Sequence, residues 1–184
     1  VSDGIKLALK SLAVREKLFE TSHSDTAQSL NVLAWLLSDF NKYDIAVDKQ
    51  LQAVSMSSLV LGPDHPTTAI YMGHLGYFLD GIKQPNAAII WLKLAVNNLQ
   101  AQRAKVASIG IQELKIYTDS VRVVFQKLAD VLTLEGRLAE AQQVLYMLKE
   151  EEQFDLILRS PSEDPRRTRM GYTHSEQRWV TRYS

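Results

Sequence analysis

The sequence predicts an all-α fold, a solenoid of stacked antiparallel helix pairs. Three observations predict it. The chain matches itself at a spacing of 42 residues. Within each copy the apolar residues recur at helical intervals, and short polar breaks divide each copy in two. Finally, a hydrophobic fraction of 46% against 23% charged is the balance of an ordinary folded protein with a core to bury.

The elements follow in chain order. Residues 3–19 place Leu9 and Leu12 where Leu51 and Val54 stand one period later, so this segment reads as the second helix of a pair whose first helix is missing. In the first full pair, about 24–60, Leu30, Leu33, Leu37 and Phe40 form one apolar stripe. Asn41-Lys42-Tyr43-Asp44 breaks it, and a second stripe follows at Ile45, Ala46, Leu51, Val54 and Val60. The second pair, about 66–104, repeats this with Met72, Leu75, Leu79 and Ile82, a break at Lys83-Gln84-Pro85-Asn86, then Ala87, Ala88, Trp91, Leu92, Ala95, Val96 and Leu99. His23-Ser24-Asp25-Thr26-Ala27 falls on His65-Pro66-Thr67-Thr68-Ala69, and Trp35 falls on Tyr77. Small residues at equivalent places, Ala34 with Gly76 and Ala46 with Ala88, let helix axes approach closely. Between the pairs, Gly62 ends one helix, Asp64 is suited to cap the next, and Pro66 fits its first turn.

A third pair, about 109–158, carries Leu128-Ala129, Leu132, Gly136, Leu138, Ala141 and Leu145, with Gly136 closing its first helix. Ala88 and Ala141 are 53 residues apart, 11 more than the period, so the stretch 100–119 holds an insertion that longer helices would absorb. Residues 159–172, with Ser160-Pro161-Ser162 and the basic run Asp164-Pro165-Arg166-Arg167-Thr168-Arg169, read as a linker. Residues 173–184 read as a short terminal helix: Thr173 and Glu176 have capping-box spacing, and Trp179 and Tyr183 give it an apolar edge that docks on the array or leads into a further domain.

Several function classes are excluded or disfavoured. Lys plus Arg and Asp plus Glu are each 21, so no net charge draws the chain to nucleic acid or to an anionic membrane. There is no cysteine, hence no disulfide, thiolate metal site or cysteine nucleophile within these residues. No apolar run reaches the roughly 18 residues of a membrane helix, and the start, Val1-Ser2-Asp3-Gly4, is not a signal peptide. These features together favour the cytoplasm. The start without Met suggests a piece of a longer protein. Of the four histidines, His23 and His65 are repeat equivalents at helix starts, where capping explains them; none of the four has the i, i+4 spacing of a helical metal site. Glu150-Glu151-Glu152 reads as a solvated face. No catalytic triad, phosphate loop or carboxylate pair stands out, so neither an enzyme nor a cofactor is expected.

The pattern of large, small and large residues, a turn, then two small ones runs through Leu33-Ala34-Leu37-Tyr43-Ala46-Ala53, through Leu75-Gly76-Leu79-Pro85-Ala88-Ala95, and through Leu128-Ala129-Leu132-Leu138-Ala141-Leu148. It resembles the tetratricopeptide repeat. With the 42-residue period and the 61–69 linker, it is similar to the long-helix subclass of kinesin light chains. The resemblance implies a right-handed superhelical solenoid whose inner, concave face is lined by the first helices and binds a partner protein or peptide. On that face the residues opposite the core stripe are Gln28, Asn31, Trp35, Ser38 and Asp39 in the first pair, and Ile70, Gly73, His74, Tyr77 and Asp80 in the second. Aromatic anchors beside polar groups suit an extended peptide or a helix; the competing reading has Trp35 and Tyr77 packed between adjacent helices. Gly136-Arg137-Leu138-Ala139-Glu140-Ala141-Gln142-Gln143-Val144-Leu145, Leu148-Lys149-Glu150-Glu151-Glu152 and Tyr172-Thr173-His174-Ser175-Glu176-Gln177-Arg178-Trp179 resemble the last repeat, and the segment after it, in bacterial tetratricopeptide–CHAT proteins. That resemblance implies an attached caspase-like CHAT domain C-terminal to these residues. A receptor for a small signalling peptide, as in helical-repeat quorum sensors, is the alternative.

Overall fold

A computed structural model describes residues 3–18, 23–106, 111–157 and 170–181. Among the described residues there are eight helices and no strand: α1 Asp3–Leu18, α2 Ser24–Ser38, α3 Tyr43–Leu61, α4 Pro66–Gly81, α5 Pro85–Val106, α6 Ile111–Leu134, α7 Leu138–Ile157 and α8 His174–Val180. Helices α2 and α3, α4 and α5, and α6 and α7 form pairs. Each second helix also packs on the next first helix, α1 on α2, α3 on α4 and α5 on α6, and α4 touches α6. The basic run 164–169 and Tyr183 lie outside the described residues, as does most of the 159–172 linker.

Three turns within pairs share one construction. Asn41, Lys83 and Gly136 occupy the left-handed region, with φ of 56, 61 and 71°. In each turn that residue donates to a carbonyl three back and its successor to a carbonyl five back: Lys42 N–H to Leu37 O (3.0 Å), Gln84 N–H to Leu79 O (3.0 Å) and Arg137 N–H to Leu132 O (2.8 Å). This is the Schellman closure of a helix C-terminus. At the turn between pairs the cap is His65, not Asp64: Pro66 takes the first helical position, so the residue before it caps. His65 Nδ1 accepts from Thr67 N–H, as His23 Nδ1 does from Asp25 N–H, both at 3.1 Å. The insertion has gone into helix length: α5 (22 residues) exceeds α3 (19), α6 (24) exceeds α4 (16), and the two excesses account for the 11 residues.

The core runs through all three pairs along Leu30, Leu33, Leu75, Phe78, Leu92, Phe125, Leu128 and Leu132. Ala34, Ala46, Ala53, Ala88 and Ala95 are wholly buried at the helix crossings. A Cβ on Gly76 would sit 2.5 Å from Leu92 Cγ and 3.1 Å from the Ala88 carbonyl oxygen, so α4 and α5 meet backbone to backbone there. Two expected stripes need correcting. Phe40, Ile45, Leu51 and Val60 are exposed, and α3 buries Ala46, Gln50, Ala53, Val54 and Ser57 instead. The reason is close approach: the groove against α4 admits small side chains and polar ones that find partners there. Gln50 donates to Tyr71 O (2.9 Å), and Ser57 pairs with Thr68 (2.8 Å). At the far end, Leu145 is 51% exposed although its repeat equivalent Leu92 is fully buried, because among the described residues no further first helix covers α7.

Residues 170–181 return to the array and lie against α5 and against Arg137, the residue before α7. The Thr173–Glu176 capping box forms as expected, and Trp179 packs on the core.

Two stability changes are expected. Gly76→Ala forces Leu92 or the α4–α5 backbones apart and lowers the unfolding free energy by about 1–3 kcal/mol. Lys83→Gly relieves a left-handed L-residue costing about 1 kcal/mol, partly offset by the greater freedom of Gly in the unfolded chain; a gain of roughly 0.5 kcal/mol is expected. Urea denaturation of the two variants beside the parent chain measures both.

Candidate functional site

The first helices α2, α4 and α6 follow one another, and the i, i+4 spacing of Asn31 and Trp35 puts both on the face of α2 that meets α4. The structure brings five of the candidates together. Trp35 meets Tyr77 at a tilt of 39° with ring centroids 5.1 Å apart, and meets His74 edge-on at the same distance; Phe78 closes the cluster at 4.9 Å. His74 Nδ1 lies 2.8 Å from Asn31 Oδ1 and 3.3 Å from Trp35 Nε1. Asp80 pairs with Lys127 of α6 at 2.6 Å, and the same ammonium lies 4.9 Å from the centre of the Tyr77 ring. A row therefore crosses three helices: Asn31 and Trp35, then His74 and Tyr77, then Asp80 with Lys127. Gly73 makes room for α6, since a Cβ there would meet Val124 at 2.5 Å.

The other candidates stand apart. Ser38 is buried and its hydroxyl donates to Trp35 O (2.7 Å), so it serves its own helix. Gln28 is exposed and lines the furrow between α1 and α2 with Arg15 and Val32. Asp39 is the exposed C-terminal cap of α2, and Ile70 packs half-buried on the core. Trp35 and Tyr77 are likewise half-buried and packed between adjacent helices; each combines core packing with a remaining exposed edge.

Lys127 is the member that the repeat comparison missed. The signal was present: a shift of 53 residues, as for Ala88 and Ala141, places Lys127 on His74. A shift of 42 does not.

Burial sets the chemistry of His74, lowering its pKa to about 4, so the ring is neutral at physiological pH. A neutral ring has one proton for two nitrogens. With the proton on Nδ1 it donates to Asn31, and the Trp35 N–H must look elsewhere. With Nδ1 bare it accepts from Trp35, and the Asn31 carbonyl oxygen goes unmet. Either tautomer leaves one polar group of the row able to bond to a ligand.

Among the described residues no group of three or more His, Asp or Glu could hold a metal ion, and no helix is long and apolar enough to cross a membrane.

Residues 26–67 match the family model of the tetratricopeptide repeat. That span covers most of the first pair and the turn into the second, so this unit is a repeat of tetratricopeptide type, within an all-α array of helix pairs like it. No curated protein gives a match to the chain.

A pH dependence follows from His74. Its folded pKa lies below the unfolded value of about 6.5, so between pH 6.5 and 4 the unfolded chain takes up a proton that the folded chain refuses. Stability then falls as pH drops through that window and levels off below it. Relative to His74→Gln, the parent chain is expected to lose about 3 kcal/mol between pH 7.5 and pH 4. Urea unfolding of both proteins at the two pH values gives the difference; equal losses would mean that the ring protonates freely in the folded state.

Proposed function

We propose that this chain is a protein-interaction module that grips an extended segment of a partner on the first-helix face, across α2, α4 and α6, and couples that event to an attached effector. Tetratricopeptide repeats mediate protein–protein interaction and are non-catalytic scaffolds, which supports the general role. The observation that carries the specific reading is the row around His74. Its aromatic edges offer flat anchors, and its Asn31–His74–Trp35 group always has one unmet polar atom for a peptide amide or carbonyl. Lys127 and Asp80 end the row with a matched charge pair, which favours a polar or zwitterionic stretch there over a purely apolar one. The effector in this reading is a CHAT-type, caspase-like domain, on the strength of the sequence likeness over 136–152 and 172–179.

The test is a binding selection against the chain with a library of extended peptides, followed by titration of the best ligand. Trp35→Ala and Tyr77→Ala are expected to weaken it at least about tenfold each, in line with aromatic hot spots, whereas Gln28→Ala, away from the row, leaves it unchanged. Unaltered affinity in both aromatic variants would move the ligand off this face.

A further inference from the structure

On the second-helix side, the segment beginning at Met170 is held like a bound peptide. Met170 N–H donates to Asn97 Oδ1 (2.8 Å) and Asn97 Nδ2 donates back to Met170 O (3.1 Å), so one side-chain amide pairs with both backbone groups of one residue. The Met170 side chain is only 1% exposed. Asn97 Nδ2 also donates to the Tyr172 hydroxyl (3.0 Å), and Lys93 Nζ donates to Gly171 O (2.8 Å). Six residues after Met170, the Glu176 carboxylate enters between Lys93 (3.0 Å) and Arg137 (2.8 Å).

The array side of this site is tied together by ion pairs of its own. Lys93 on α5 reaches Glu140 on α7 at 2.6 Å, and Arg137 makes two bonds to the same carboxylate at 2.7 and 2.9 Å. Two cations thus share one array carboxylate, which leaves one positive charge for a second carboxylate to match. What the array recognises is mostly generic: a backbone N–H and C=O at Met170, a carbonyl at Gly171, and a carboxylate. Beside it, Pro85, Ile90, Arg137, Glu176 and Trp179 line a cleft of about 630 Å³ that stays open with the tail in place.

We propose that the furrow between α5 and α7 is a second peptide-binding site, independent of the first-helix face, and that residues 170–181 are its ligand in cis. The segment it takes has a buried apolar residue whose backbone N–H and C=O are both free to pair with Asn97, followed six residues later by a carboxylate at the third position of a capped helical turn. A partner segment of that chemistry competes with the tail for the site. The tether gives the tail a high effective concentration, so the intact chain resists such a competitor and a chain freed of its tether does not.

The experiment uses the full chain with a specific protease site placed within 161–166. After cutting, the piece beginning before Met170 is expected to co-elute with the array in gel filtration. A labelled synthetic peptide of residues 168–184 then exchanges into it, with helicity unchanged by circular dichroism. Glu176→Gln in the peptide, or Asn97→Ala in the array, weakens that exchange by about tenfold or more, as loss of a bond to a charged or buried group does. In the uncut chain, Glu176→Gln speeds hydrogen exchange across 170–181 and leaves α5 and α7 protected; this second readout does not depend on the cut protein folding. The proposal is overturned if the cut piece leaves and the peptide fails to bind at millimolar concentration. It is equally overturned if the piece never exchanges, or if its departure melts the array, since residues 170–181 would then be part of the core and not a ligand.

Discussion

The charge on Lys93 governs the C-terminal half of this protein. The residue is completely shielded from solvent, at 0% exposure, on a helix that is otherwise apolar from Ala87 to Val96. An ammonium cannot stay there unpaired, because removing one partner of a buried ion pair costs about 3–5 kcal/mol. Its partners come from α7, as Glu140, and from the tail, as Glu176 and the Gly171 carbonyl. Meeting one charge therefore ties α7 to α5 and draws the tail onto α5. Burial by itself would raise the Glu140 and Glu176 carboxyls. The hydrogen bonds from Arg137 and Lys93, joined at Glu176 by the Thr173 N–H, outweigh it and hold both below the usual carboxylate range. Both acids thus stay charged at neutral pH, and the cluster of two cations and two anions is balanced.

The two faces of the array use different physics. On the first-helix face the half-buried groups are aromatic, and they meet a neutral histidine and a single ion pair. Selectivity there would come from shape and from one spare hydrogen-bonding group. On the second-helix side the recognising groups are an amide and two fully charged side chains. They suit backbone and carboxylate, and packing matters mainly at Met170. A ligand on either face bears on α4 and α5 together, because Gly76 brings those two helices into direct contact.

The helix pairs were legible because the 42-residue repeat carries local rules. The turn after each first helix needs one left-handed residue, and Asn41, Lys83 and Gly136 fall in register. The His23 and His65 caps and the Thr173–Glu176 box were readable for the same reason, since each is settled within four residues. Less legible was which apolar residues face inward. Repetition shows that Leu9 and Leu51 share an environment, and both are indeed exposed, but it does not reveal which environment that is. Burial on α3 is decided by how near α4 comes, a property of two helices together. It admits Gln50 and Ser57 and leaves Leu51 outside.

The second-helix site was hidden for a different reason. Lys93 and Glu176 are 83 residues apart, and Asn97 and Met170 are 73 apart, with no periodicity linking them. Yet a trace existed. A helix apolar on every side is covered on every side, and the run from Ala87 to Val96 has only Lys93 to interrupt it. In a two-layer array the first helices cover one side of α5 and leave the other to solvent. An apolar circumference on a second helix therefore implies a third layer, and a lone lysine within it implies carboxylates close by, of which Glu140 belongs to the array and the second comes with the third layer. Glu176 is that carboxylate, and Trp179 is the part of the third layer that the apolar surface required.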